Sequence, residues 1–135
     1  MSHTAGENAL ILIVEDNERN LKLVRDLLQV NGFETVEARN AADGLRFAVE
    51  RNPALILMDI QLPDLDGVAT LGRLRTDERT SSIPVVALTA YAMSGDRQRL
   101  LEAGFDEYLE KPIDHKLFPT QVRSLLDRRR REETG

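Results

Sequence analysis

Short apolar runs alternate with amphipathic stretches along most of the chain. Three of these runs consist almost entirely of Leu, Ile, Val, Met and Ala, and two others are shorter and more polar. Continuous apolar runs are typical of strands buried on both faces of a parallel sheet, whereas more polar runs suit its edges. The pattern predicts five strands: Leu10–Val14, Thr35–Ala38, Leu55–Met58, Val85–Leu88 and Glu107–Leu109.

Each predicted strand is followed by a stretch whose apolar residues recur every three or four positions, as on one face of a helix. We expect Gly32 and Gly104 to end the first and fourth helices and Asn40 to begin the second. Because of Pro119, we expect the fifth helix to start nearby or to have an irregular first turn. Five alternations of strand and helix predict an α/β fold with a parallel sheet between helices. The apolar positions are Leu21, Val24 and Leu28; Leu45, Ala48 and Val49; Val68, Leu71 and Leu74; Leu100 and Leu101; and Phe118, Val122 and Leu125.

The length of 135 residues and the hydrophobic fraction of 41% fit one domain with its own core. We expect this domain to span residues 9–127, between a flexible N-terminal tail (1–8) and a polar C-terminal tail (128–135). The longest apolar run, at residues 9–14, is far shorter than the roughly 18 residues of a membrane span. A net charge of −5 does not favour nucleic acid as a partner, and the absence of cysteine excludes thiolate chemistry. We therefore expect a cytoplasmic protein that binds neither membrane nor nucleic acid.

Polar side chains lie directly after four of the predicted strands. Glu15 and Asp16 follow the first strand, Asp59 the third, Thr89 the fourth, and Lys111 comes just after the fifth. The carboxyl ends of parallel strands share one edge of the sheet, so these groups are expected to converge. Carboxylates about 4 Å apart repel by roughly 4 kcal/mol per pair, which favours a divalent cation, and oxygen ligands without nearby His or Cys favour Mg²⁺. Lys111 then suits a phosphate, and Asp59 is the candidate nucleophile for an acyl phosphate.

Four segments in order resemble the signature segments of response-regulator receiver domains. They read Ile-Val-Glu15-Asp16-Asn17, Leu-Met-Asp59-Ile-Gln-Leu-Pro-Asp-Leu-Asp-Gly67, Leu-Thr89-Ala90 and Glu110-Lys111-Pro112. The sequence around these segments is similar to that of single-domain DivK-like regulators and of receivers in hybrid histidine kinases. The resemblance covers roughly residues 9–127. It implies a flavodoxin-like, doubly wound sheet of five parallel strands in the order 2-1-3-4-5, with five helices.

The resemblance implies a phosphorylation-activated switch of a two-component or phosphorelay system. Asp59 would accept a phosphoryl group from a phosphohistidine on a histidine kinase or a histidine phosphotransfer protein. Asp16 and Asp59 would contact Mg²⁺ directly, Glu15 would act largely through water, and the backbone carbonyl of Gln61 would complete the protein ligands.

The same resemblance assigns the remaining site residues. Thr89, Ala90 and Lys111 would bind the phosphoryl oxygens, Thr89 and Tyr108 would form the switch, and the Lys111–Pro112 peptide would be cis. Output would pass by protein contact through the face of the fourth helix, fifth strand and fifth helix, with a phosphorylation-dependent dimer as a further outcome. The only chemistry expected is self-phosphotransfer and slow autodephosphorylation, so the chain is not expected to be a metabolic enzyme.

Other interpretations stay open from the residues alone. The chain could be a phosphate-shuttling receiver excised from a hybrid kinase, or a phosphatase using Asp59 covalently, although Gln61 stands where such hydrolases place a second acid. A flavin or nucleotide carrier would need a Gly- or Ser/Thr-rich loop after the first strand. Taken singly, Asp59, Thr89 and Lys111 also fit ordinary structural roles, and Tyr108 fits simple packing on an edge strand. His3, His115 and Arg128–Arg131 are interpreted as solvated surface residues.

Overall fold

A computed structural model of the chain describes the backbone of residues 9–90 and 96–134, and the side chains of residues 9–90 and 98–127. Five strands and five helices alternate in this part of the chain, as the hydrophobic pattern predicts. The predicted tail at residues 1–8 lies outside the described residues. The elements are β1 (Leu10–Val14), α1 (Glu18–Val30), β2 (Glu34–Ala38), α2 (Ala41–Arg51), β3 (Leu55–Asp59), α3 (Gly67–Thr76), β4 (Val85–Thr89), α4 (Asp96–Ala103), β5 (Glu107–Glu110) and α5 (Phe118–Thr134).

The strands form one sheet with the order β2-β1-β3-β4-β5. Every neighbouring pair is parallel, so all carboxyl ends lie at one edge. This confirms the doubly wound, flavodoxin-like sheet. Three strands, β3, β4 and β5, end one residue later than predicted. The ladder continues there because Asp59 pairs with Leu88 and Thr89 pairs with Glu110. These three polar residues are therefore the last residues of their strands.

The core has two layers, one on each face of the sheet. Alternate residues of the strands, such as Ile11 and Leu57, pack with α1 and α5 on one face. Their neighbours, such as Leu12 and Met58, pack with α2, α3 and α4 on the other face. Burial on both faces explains why the three central strands are continuously apolar.

Local signals fix several helix ends. Gly32 takes a φ of +91° after α1, and its N–H and that of Phe33 donate to the Gln29 and Leu28 carbonyls. Gly104, with a φ of +116°, has the same place after α4. This left-handed turn satisfies carbonyls that the helix leaves open, and glycine adopts it without strain.

The N-termini of helices α2 and α5 also lie where the sequence predicts them. The Asn40 side chain accepts a hydrogen bond from the Asp43 N–H at 2.8 Å and begins α2 as predicted. Pro119 is buried in the first turn of α5, where a missing N–H breaks no hydrogen bond of the helix. The turn before it is held by Asp114, whose carboxylate accepts from the Lys116 and Leu117 amides.

One helix position differs from the sequence-based expectation. Val68 is 40% exposed, and the inward face of α3 includes Thr70 instead, whose hydroxyl donates to the Asp66 carbonyl at 2.8 Å. Helix α5 extends to Thr134, and the domain bounds of 9–127 stay a prediction. None of the helices in the described ranges is both long and apolar enough to cross a membrane.

Candidate functional site

The end of β1 turns one acid inward and leaves the next exposed. The Glu15 N–H donates to the Ala38 carbonyl at 2.9 Å, which extends the pairing of β1 with β2 past the end of the strand. The Glu15 side chain is fully buried, and its Oε2 accepts from the Asn17 N–H at 3.2 Å. Asp16 is exposed at the rim. Asn17 begins α1, because its Oδ1 accepts from the Asn20 N–H at 3.1 Å.

Asp59, at the end of the central strand β3, is held by two nitrogen donors. Its side chain is nearly buried. The Gln61 N–H donates to Oδ1 at 2.9 Å, and Lys111 Nζ donates to Oδ2 at 3.1 Å. A carboxylate with one contact to each oxygen has a fixed orientation, which is what a nucleophile at a defined position requires.

Lys111 joins the end of β5 to the acids of β1 and β3. Its backbone N–H donates to the Thr89 carbonyl at 2.7 Å, and its peptide bond to Pro112 is cis. The ammonium lies 2.7 Å from Glu15 Oε1 and 3.1 Å from Asp59 Oδ2. One cation therefore bridges two carboxylates that come from different strands.

The proximity of these groups shifts their proton affinities. Burial and the neighbouring Asp59 carboxylate raise the pKa of Glu15 from 4.5 to about 7, and the nearby Lys111 offsets only part of this rise. Burial lowers the pKa of Lys111, but its contacts with Glu15 and Asp59 outweigh burial and leave the pKa above its ordinary value. The site is therefore richer in negative charge than its one lysine can balance.

This charge excess and an unsatisfied oxygen fit a divalent cation. Glu15, Asp16 and Asp59 each place a carboxylate oxygen within 4.8 Å of the other two. Glu15 Oε1 is buried and accepts no aligned hydrogen bond from the described residues, although Lys111 Nζ is 2.7 Å away in the ion pair. Carboxylate oxygens in this number are ligands that Mg²⁺ prefers.

The remaining predicted residues lie around this cluster. Thr89 is buried at the end of β4, with Ala90 exposed directly after it. Gln61 is exposed and reaches the cluster through its N–H to Asp59. Tyr108 is not part of the cluster: it lies opposite Ala87 in the sheet and packs, half-buried, on the face of α2, α3 and α4.

One residue near the site lies within a signature segment, but the sequence predicts no role of its own for it. Asp64, in the loop between β3 and α3, accepts hydrogen bonds from the Ala41 and Ala42 amides at 2.8 and 3.0 Å. The Ala41 amide, and then that of Ala42, hold the pKa of the Asp64 carboxyl below its ordinary value. An Asp after Pro63 is typical of a turn, so sequence alone would not connect it with α2.

Comparison with known families identifies the class of this protein. The family described as the response regulator receiver domain matches residues 11–123, which is most of the chain. The chain belongs to this family, as its four sequence segments predict. Its members are signalling switches of two-component systems that bind Mg²⁺ in the active site, not metabolic enzymes.

Individual relatives agree with this class. The chain is 45% identical over 116 residues to the polar-differentiation response regulator DivK of Brucella anthropi, covering 86% of this chain and 94% of that protein. It is 33% identical to the receiver domain of a sensor histidine kinase from Pseudomonas aeruginosa, with a TM-score of 0.77 over 90% of this chain and 96% of that one. The crystal structure of that domain has a magnesium ion coordinated in its active-site cleft. A CheY-like receiver domain protein from Methanospirillum hungatei is 28% identical, with a TM-score of 0.82 over 92% of this chain and 98% of that one.

Proposed function

We propose that Asp59 accepts a phosphoryl group from a phosphohistidine on a partner histidine kinase or histidine phosphotransfer protein. The observation that carries this proposal is the environment of Asp59. Its carboxylate is nearly buried at the end of β3, is oriented by two donors, and lies in a cluster with Glu15, Asp16 and Lys111. An Asp residue that only begins a turn is not expected to be buried in such a cluster of charged groups.

The transfer follows from the groups in place. An Asp59 oxygen forms a bond to phosphorus while the bond from phosphorus to the donor imidazole nitrogen breaks. That nitrogen keeps the electron pair and takes up a proton, so the donor histidine leaves neutral and Asp59 becomes an acyl phosphate. Lys111 Nζ lies 3.1 Å from Asp59 Oδ2 and would balance the added negative charge, and the Thr89 hydroxyl would donate to the phosphoryl group. Ala90 is small and exposed, which leaves room for the donor.

We propose four protein ligands for Mg²⁺, three of which, Glu15, Asp16 and Asp59, place carboxylate oxygens within 4.8 Å of one another. Asp16 and Asp59 would bind Mg²⁺ directly, Glu15 largely through water, and Gln61 through its backbone carbonyl. When bound, Mg²⁺ supplies positive charge that neutralises the carboxylates and the phosphoryl oxygens. The Gln61 N–H holds Asp59 Oδ1 at 2.9 Å, so the loop that would provide the carbonyl ligand is already tied to the phosphoacceptor.

We propose that Thr89 and Tyr108 pass the change to the rest of the domain. The Thr89 carbonyl accepts from the Lys111 N–H at 2.7 Å, which connects the ends of β4 and β5. Movement of Thr89 towards a phosphoryl group would therefore act on β5, and Tyr108 on that strand would become more buried. Phosphorylation would shift the population between two arrangements of this region.

The proposed output surface is the face formed by α4, β5 and α5. A groove of about 510 Å³ runs there between β5 and the first turns of α5. Its lining includes Tyr108 and Leu125 together with the half-exposed Leu117. A downstream protein would bind this face, and a phosphorylation-dependent dimer would use the same one. We place this function in the cytoplasm, where histidine kinases present their phosphorylated domains, and without a direct nucleic-acid contact, which agrees with the net charge of −5.

A second candidate is a receiver that passes its phosphoryl group on. Receiver domains of histidine kinases from Pseudomonas aeruginosa and Syntrophus aciditrophicus, at 33% and 32% identity, are among the similar solved structures. A shuttling receiver would return its phosphoryl group to a histidine phosphotransfer protein faster than it loses the group to water. A terminal switch would not.

The test is phosphorylation by a small phosphodonor such as phosphoramidate, with Mg²⁺ present and intact mass as the readout. The wild-type protein is expected to gain one phosphoryl group, and the Asp59→Asn variant is expected to gain none. Asp66→Asn is the matched control, because Asp66 lies in the same loop and Asn caps α3 equally well. Equal phosphorylation of the wild type and Asp59→Asn would overturn the proposal.

A further inference from the structure

The loop between β3 and α3 is fastened to α2 by one side chain. Each oxygen of the Asp64 carboxylate accepts a separate backbone amide, Ala41 at 2.8 Å and Ala42 at 3.0 Å. Hydrogen bonds to an ionised acceptor are the strong ones, and a carboxylate at the first turn of a helix also meets its positive end. This contact joins residues 22 and 23 positions apart in the chain.

The cap of α2 is divided between two residues. Asn40 accepts the third amide of the helix, that of Asp43, at 2.8 Å. The first two amides are left to Asp64. Without Asp64 these two donors would face water, while the conventional cap would stay in place.

The same loop holds groups of the proposed metal site. Asp59 and Gln61 begin it, and the Gly67 N–H closes it by donating to the Ile60 carbonyl at 2.9 Å. Leu62 anchors the loop in the core, and Asp64 is the polar anchor on its far side. The conformation of this loop sets where the backbone carbonyl of Gln61 points.

We propose that Asp64 is a positioning residue for phosphotransfer, which holds the β3–α3 loop in the conformation that presents the Gln61 carbonyl to Mg²⁺. This inference rests on the proposed function. It also makes the start of α2 responsive to the metal, since the loop and the Ala41 and Ala42 amides are connected through one carboxylate.

The fold does not depend on this side chain. Asp64 is exposed, while Leu62, the Ile60–Gly67 hydrogen bond and the Asp66 cap of α3 continue to anchor the loop. The Asp64→Ala variant therefore keeps its fold but lets the loop leave the binding conformation. Apparent metal affinity falls in proportion to the fraction of molecules that keep this conformation.

The test compares Asp64→Ala and Asp64→Asn with Asp43→Ala by calorimetric titration with Mg²⁺. Asp43 is the matched control: it is an acid in the same first turn of α2, but its carboxylate contacts Arg46 and Asn40 and not the loop. Asp64→Ala is expected to raise the Mg²⁺ dissociation constant about five- to ten-fold. Asp64→Asn has one acceptor oxygen instead of two, so its Mg²⁺ dissociation constant is expected to lie between those of the wild type and Asp64→Ala. The dissociation constant of Asp43→Ala is expected to stay within about two-fold of the wild-type value.

Two further readouts separate positioning from damage to the fold. At saturating Mg²⁺ the rate of phosphorylation by phosphoramidate is expected to return to the wild-type value in Asp64→Ala. Nitrogen-15 spectra are expected to show the Ala41 and Ala42 amide resonances moving on Mg²⁺ addition in the wild type and Asp43→Ala, but not in Asp64→Ala.

Unchanged Mg²⁺ affinity in Asp64→Ala, an equal loss in Asp43→Ala, or a rate that saturating Mg²⁺ does not restore would each overturn this inference. In those cases wild-type phosphorylation on Asp59 would leave the proposed function standing. A wild-type protein that binds no Mg²⁺ would overturn the proposed function and this inference together.

Discussion

Replacing Glu15 with Gln tests the electrostatics of the cluster without altering its shape. Glu15 is fully buried, and burial together with Asp59 raises its pKa from 4.5 to about 7. The folded protein therefore holds this proton over a pH range in which the unfolded chain has released it. Because the native state binds more protons there, the free energy of unfolding of the metal-free wild type falls as pH rises from about 4.5 to about 7, and then levels off.

The expected size of this effect comes from the rise in the pKa. One pKa unit corresponds to about 1.4 kcal/mol, so the rise makes a Glu15 contribution on the order of 3 kcal/mol between pH 4.5 and pH 8. Lys111 stays charged across this range because its pKa is raised above 10.5, so it adds no slope there. Glu15→Gln has no proton to release and should lack this part of the pH dependence.

The measurement is urea unfolding followed by circular dichroism in a chelator, at pH values from 5 to 8, since the chain has no Trp for fluorescence. The difference in free energy of unfolding between the variant and the wild type should grow in favour of the variant by about 2–3 kcal/mol over this range. Parallel curves for the two proteins would refute the assignment of a raised pKa to Glu15.

Three other substitutions have definite expected outcomes. Gly67→Ala would place a Cβ 2.6 Å from the Ile60 Cα, so the loop backbone must shift, and urea unfolding should show a loss of about 1–3 kcal/mol. Gly72→Ala lies within α3, and its new Cβ would meet no atom within 4 Å apart from its chain neighbours and the helix's own backbone. This variant should gain up to about 1 kcal/mol in the same assay, and a loss would contradict the helix geometry. Lys111→Met keeps much of the side-chain volume but removes the ammonium 3.1 Å from Asp59, so phosphorylation at saturating Mg²⁺ should slow about 10²-fold or more, and an unchanged rate would contradict its proposed role.

Much of the fold could be predicted because its pattern is local. The run at Leu55–Met58 is apolar because both faces of β3 are covered, and this burial is visible in the sequence itself. The strand continues to Asp59, one residue past the prediction, because the backbone goes on pairing where the side chain becomes polar. The order of the strands is not a local property and followed from the family resemblance.

The candidate site was predictable to the extent that it depends on strand ends. Parallel strands bring their carboxyl ends to one edge, so Glu15, Asp16, Asp59 and Lys111 could be expected to meet, and the structure brings them together. The bridge of Lys111 between two carboxylates was not predictable, because it depends on side-chain directions.

The contact between the β3–α3 loop and α2 could not be predicted from the sequence. Asp64 is an ordinary turn residue in its own segment, and its partners in α2 are backbone amides, which every residue has. The exposure of Val68 was missed for a related reason: its spacing suits the inward face of α3, but the position of Thr70 in the packed structure decides which side is buried.

The central claim, that Asp59 is the phosphoacceptor, is tested most directly by locating the modification. After reaction with a phosphodonor and Mg²⁺, borohydride reduces an aspartyl phosphate to homoserine, which peptide mass spectrometry assigns to one position. We predict homoserine at position 59, with none at positions 16, 64 or 66. Homoserine at another position, or none anywhere after confirmed phosphoryl uptake, would contradict the account.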